Sequence, residues 1–150
     1  MTRFAPLMDV ALAEAIAAGA RGETPVGAVV LSADGAILAR AGNRSRERSD
    51  PTAHAEIVAI RDACAAIGAE RLTGCTLYVT LEPCPMCAAA IAAARIDRLV
   101  YGAPDAKSGG VEHGPRIFSH SQAHHRPEVI AGVTEAACAA LLRAFFAARR

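Results

Sequence analysis

The stretch Thr76–Ile91, TLYVTLEPCPMCAAAI, decides how the rest of the chain is read. Its β-branched and aromatic residues make a strand that ends at Leu81, and Glu82-Pro83 turns the chain into an alanine-rich helix. Cys84 and Cys87 fall in the first turn of that helix, where a spacing of three puts both sulfurs on one face. Free backbone N–H groups and the helix dipole favour the thiolate there, the form that binds metal or attacks electrophiles. On this stretch alone, a thioredoxin-like redox pair, half of a structural zinc knuckle and half of a catalytic zinc site are equally good readings.

His54-Ala55-Glu56, about 30 residues upstream at the start of another helix, separates them. His54, Cys84 and Cys87 make three metal ligands. Three protein ligands leave the fourth tetrahedral position of zinc open, which is the pattern of catalytic sites; structural sites close it. Cys64, Cys75 and Cys138 lie in apolar patterns and read as core, not as a fourth ligand. Two thiolates neutralise the formal charge of Zn²⁺ and weaken its acidifying effect on water, so a nearby base is needed. Glu56 is placed to be that base.

The bulk composition agrees. At 150 residues the chain is expected to be one domain, 1–150, with a substantial core. Hydrophobic residues at 53% against 21% charged exclude a disordered chain, and aromatics at 4% with abundant alanine predict helices that pack closely. A net charge of +1 excludes a general polyanion-coating protein but leaves room for a local basic patch. Five cysteines, an odd number without a secretory leader, point to a reducing cytoplasm and not to a disulfide framework. Asp9 and Glu14 interrupt the apolar N-terminal run, and nothing approaches the roughly 18 apolar residues a membrane span requires.

Taken in order, the chain predicts a helix from Pro6 to about Ala18 and a hairpin of Val26–Leu31 and Ile37–Gly42. A polar loop, Asn43 to Asp50, carries Arg44, Arg46 and Arg48; a second helix then starts at Pro51-Thr52, capped by Asp50 or Thr52. Beyond the cysteine helix come a strand at Arg98–Gly102 and a long, weakly patterned loop, Ala103–Pro127, with one helical turn near Phe118. A last strand at Glu128–Val133 and a helix capped by Thr134 complete an α/β layered domain with a central sheet.

His54-Ala55-Glu56 with Pro83-Cys84-Pro85-Met86-Cys87 resembles the H-x-E…P-C-x-x-C signature of zinc-dependent nucleobase deaminases. TPVGAVV, GNRSRERSDPTAHAEI, YGAPDAKSGG and LLRAFFAARR bring the chain nearest to the bacterial tRNA-specific adenosine deaminases, a resemblance that runs from Pro25 to the end. It implies a cytidine-deaminase-like three-layer fold with a mixed five-stranded sheet, one Zn²⁺ per subunit, and a homodimer with the cysteine helix near its interface. It also implies conversion of the wobble adenosine of an arginine tRNA to inosine, with the anticodon stem-loop as partner and Glu56 moving the protons.

By the same resemblance Asn43 and the Ala55 N–H contact the base, and Asp105 touches a ribose hydroxyl. Arg44, Arg46, Arg48, Lys107, Arg149 and Arg150 are candidate RNA contacts. Residues 111–127 depart from the better-known members. The rival on the same fold is a small-molecule deaminase, guanine deaminase above all. Rivals of other classes are a thiol-disulfide protein using Cys84 and Cys87, and a non-catalytic zinc-stabilised RNA-binding module.

Overall fold

The structure, a computed structural model, describes residues 2–149. Helix α1 (Ala5–Ala20) precedes a hairpin of β1 (Gly27–Leu31) and β2 (Ile37–Gly42). Then follow α2 (Ala55–Ile67), β3 (Thr76–Leu81), α3 (Pro85–Ala93), β4 (Arg98–Ala103), β5 (Glu128–Ile130) and α4 (Glu135–Ala147). The strands form one sheet in the order β2-β1-β3-β4-β5. Strand β1 is antiparallel to both of its neighbours, whereas β3, β4 and β5 run parallel, so the sheet is mixed as expected.

Side chains of a strand alternate between faces, and the two cores follow that period. Ala28, Val30, Leu77, Val79, Leu99 and Tyr101 pack toward α2 and α3, while Val29, Tyr78 and Val100 pack with Phe4 ahead of α1, Met8 and Ala11 of α1, and Cys138 of α4. The result is three layers, helices on both sides of the sheet. Small residues let the helices approach closely: a Cβ on Gly27 would lie 1.9 Å from the carbonyl oxygen of Ala11, and one on Gly102 would lie 2.6 Å from the Cys138 sulfur. Cys75 and Cys138 are buried and Cys64 is partly buried against the core, as read from their apolar surroundings. Among the described residues, no helix is long and apolar enough to cross a membrane.

Three local expectations need correction. Helix α2 begins at Ala55, and Asp50-Thr52 is a separate turn in which the Asp50 carboxylate accepts from the Thr52 N–H (2.9 Å) and hydroxyl (2.7 Å). Asp and Thr before a helix serve a turn as well as a cap, and here the turn wins. Strand β5 stops at Ile130, because Gly132 (φ +78°) and Thr134 (φ +56°) take the backbone out of the sheet. Thr134 stands at the head of α4 in that left-handed conformation without a side-chain capping bond.

Candidate metal centre and active site

The N-termini of α2 and α3 converge beside the end of β3. His54 precedes α2 in extended backbone (φ −67°, ψ 156°), and Cys84 precedes α3 in the same way (φ −69°, ψ 170°). Cys87 follows in the first turn of α3. The His54 Nδ1 atom lies 3.7 Å from Cys84 Sγ and 3.5 Å from Cys87 Sγ. A tetrahedron with Zn–S near 2.3 Å and Zn–N near 2.0–2.1 Å has an N···S edge of about 3.6 Å. The donor set and its spacing therefore fit zinc, and among the described residues no fourth His, Cys, Asp or Glu joins the trio.

The three groups share protons among themselves, and Cys84 is the thiolate of the set. The hydrogen bond from Cys87, helped by His54, holds the Cys84 thiol down to about 4 against the effect of burial. Donating that bond, together with burial, pushes Cys87 up. Bonding to Cys84 raises His54. Glu56, in the first turn of α2, is 4% exposed, and burial pushes its carboxyl up to about 7, with Cys84 adding to the shift. A carboxyl tuned to that range takes and returns a proton near neutrality.

Above these residues opens a cavity of about 290 Å³. Its lining joins His54, Glu56 and Cys84 to Asn43, Ser45 and Arg46 from the loop after β2, and to Asp105 and Ser108 from the loop after β4. A second cavity of about 720 Å³ shares Asp105 and Ser108 with the first and is completed by Lys107, Leu142, Phe146 and Arg149. The structure thus gathers Asn43, Arg46, Asp105, Lys107 and Arg149 around one mouth. It does not bring in Arg44, which pairs with Glu47 at 2.7 Å, or Arg48, which is exposed on the loop and lines neither cavity. Arg150 lies outside the described residues. Ala55 is buried in the first turn of α2, where helix geometry leaves N–H groups without an intrahelical acceptor.

Several lining residues carry no signal in sequence. The Ser45 hydroxyl is buried without a hydrogen-bond partner among the described residues and lines the smaller cavity. Glu23, 1% exposed, accepts from the Asn43 amide (3.2 Å) and from the backbone N–H groups of Arg46 (3.1 Å) and Glu47 (2.8 Å). Since a carboxylate only accepts, it fixes the Asn43 amide with Nδ2 toward Glu23. Glu82, also buried, does the same for the loop after β4.

Burial alone pushes the Glu23 carboxyl up, but the N–H groups of Glu47 and Arg46 and the Asn43 amide outweigh it and hold it below its ordinary 4.5. A depressed carboxyl contributes its stability above the unfolded value, and that contribution is lost as pH falls through the folded value. Glu23→Gln should cost about 1.5–3 kcal/mol at neutral pH. In urea unfolding, the gap between parent and variant should hold at neutral pH and narrow as pH falls below 4.5. A gap that stays constant would show that the charge on Glu23 contributes nothing.

Residues 1–103 match the family model described as the cytidine and deoxycytidylate deaminase zinc-binding region. A tRNA-specific adenosine deaminase of Agrobacterium fabrum is 57% identical over 143 residues, 95% of this chain and 93% of that protein. The chain belongs to the bacterial tRNA-specific adenosine deaminase family of zinc-dependent deaminases. The Bacillus subtilis member is 43% identical over 146 residues, covering 97% of this chain and 90% of its own length. Among solved structures, one from work on A-to-I editing by tRNA:A34 deaminases superposes with a TM-score of 0.89 at 56% identity, covering 95% of this chain and all of the other.

A guanine deaminase of Nitrosomonas europaea has the same fold at greater distance, with a TM-score of 0.76 and 26% identity over 93% of this chain and 82% of that one. The three-layer fold is therefore that of the deaminase family, as the motif resemblance implied. Zinc is the family's metal, and its ligand chemistry is the trio described above.

Proposed function

We propose that this deaminase converts the wobble adenosine of an arginine tRNA to inosine by hydrolysis. The observation that carries the reading is the mouth itself. A purine-sized cavity over His54, Cys84, Cys87 and Glu56 continues into a second, larger cavity rimmed by Lys107, Phe146 and Arg149, which suits a base presented on a polymer better than a free base. Zinc held by His54, Cys84 and Cys87 supplies Lewis acidity, which makes water a nucleophile at neutral pH.

Glu56 does the proton work. It takes a proton from the attacking water and delivers it to N1 of adenine as the oxygen bonds to C6. It then carries the hydroxyl proton to the amino group, the C6–N bond breaks, and ammonia leaves inosine behind. Asn43, held by Glu23, and the Ala55 N–H orient the base. Asp105 reads a ribose hydroxyl, the group that separates RNA from DNA. Arg46, Lys107 and Arg149 supply phosphate contacts, with Arg44 and Arg48 further out.

Residues 1–150 act as one domain, and two copies pair through the alanine-rich α3, whose Met86 is 36% exposed. Free cysteines throughout suit a reducing cytoplasm. The test is incubation with an arginine-tRNA anticodon stem-loop beside free adenosine, cytidine and guanine. Inosine in the RNA alone is the expected result, and ammonia released from guanine would move the protein to the guanine deaminases.

A further inference from the structure

We propose that Glu82 is a positioning residue for RNA: its buried carboxylate gathers the loop after β4 around itself and thereby sets the Asp105–Ser108 side of the mouth, with His113 completing the grip. This rests on the function proposed above, in which that side of the mouth faces the RNA.

Glu82 follows β3 directly, its N–H donates to Ala103 O (2.8 Å), and its side chain has no solvent exposure. One carboxylate oxygen accepts from the N–H groups of Val111 (3.2 Å), Glu112 (3.0 Å) and His113 (3.1 Å). The other accepts from the Asp105 N–H (3.0 Å) and meets the His113 Nδ1 atom at 2.7 Å. The two ends of a nine-residue segment, 105 to 113, are therefore tied to one carboxylate.

The middle is fastened as well, because Gly110 donates to Pro83 O at 2.8 Å. A Cβ on Gly109 would stand 2.5 Å from the Glu82 carboxylate, and one on Gly110 would stand 2.5 Å from Pro85 N. No reacting group requires this arrangement. Its output is the placement of Asp105, whose own carboxylate accepts from the N–H groups of Lys107 (3.1 Å) and Ser108 (2.9 Å) and so shapes the wall shared by both cavities.

Glutamine at position 82 separates this role from bulk packing. It keeps the size but has one accepting oxygen. Set toward Val111, Glu112 and His113, that oxygen preserves three bonds. The amide nitrogen then faces the Asp105 N–H, donor against donor, while the His113 ring can accept by changing tautomer. Glu82→Gln should therefore loosen Asp105 in particular.

On the anticodon stem-loop the expected result is a KM raised about tenfold, with kcat within about twofold and one zinc per chain retained. His113→Ala, which leaves all four backbone bonds in place, should raise KM about threefold, and His113→Asn, which keeps an N–H near the place of Nδ1, should restore it. An unchanged KM, a fall in kcat alone, or loss of zinc from Glu82→Gln would overturn the proposal. Amide exchange at Asp105 and 111–113, read without substrate, should quicken in Glu82→Gln. If the parent chain leaves the stem-loop untouched while exchange quickens, the function reading fails and the loop-setting role stands; unaltered exchange overturns that role whatever the substrate.

Discussion

Glu56→Ala should retain one zinc per chain and deaminate the anticodon stem-loop about a thousandfold more slowly than the parent. The two halves of that result have separate causes. His54, Cys84 and Cys87 are supplied by residues other than Glu56, and their N···S spacings of 3.5 and 3.7 Å do not depend on its carboxylate. Removing a 4%-exposed acid also removes the cost of burying it, so the variant should fold at least as well as the parent. What disappears is a cavity carboxyl raised to about 7, and with it the group proposed to pass protons between water, ring and leaving ammonia. Metal content by elemental analysis and inosine by mass spectrometry report the two halves independently. Activity within tenfold of the parent would remove Glu56 from the mechanism.

Cys87→Ala should empty the metal centre, abolish deamination and lower thermal stability together. Cys87 is fully buried, and no fourth ligand stands by to replace it among the described residues. Binding to the folded state alone stabilises by about 4 kcal/mol when free zinc exceeds the dissociation constant a thousandfold. For a chain of this length, losing it corresponds to a fall of roughly 10 °C in Tm. The fold itself should survive, because one core holds Leu77, Leu99, Ile91 and Tyr101 against the sheet and the other holds Val29, Tyr78 and Val100, both without the metal. Chelation of the parent should reproduce the same drop. Full zinc occupancy in the variant would mean that the trio is not the binding site.

What could be read from the residues in advance was the chemistry that tolerates few substitutes. Two sulfurs joined to an imidazole at these spacings suit a metal above other uses, so the trio is legible in the residues, with Glu56 beside it. The hairpin, the cysteine helix and the strand before it followed from period and turn residues. Glu23 and Glu82 were not visible in this way. An acid next to a turn is usually solvated, and only the three-dimensional path of the loops shows that each is buried under backbone N–H groups. The residues place the start of α2 too early because Asp50 and Thr52 carry the same signature for a turn as for a cap. Arg44 and Arg46 look alike in a row of arginines, yet Glu47 holds one away from the cavity and the other lines it.

The grip of Glu82 on main-chain amides has a consequence for how this protein can vary. A clasp that holds the backbone asks almost nothing of the side chains it passes. The side chains of Ala106, Lys107 and Ser108 can be exchanged without loosening it, and the outline of that wall can be redrawn while the metal site below stays untouched. That latitude marks Lys107 and Ser108, between the two ties, as the place to graft a new substrate preference onto an unchanged catalytic floor.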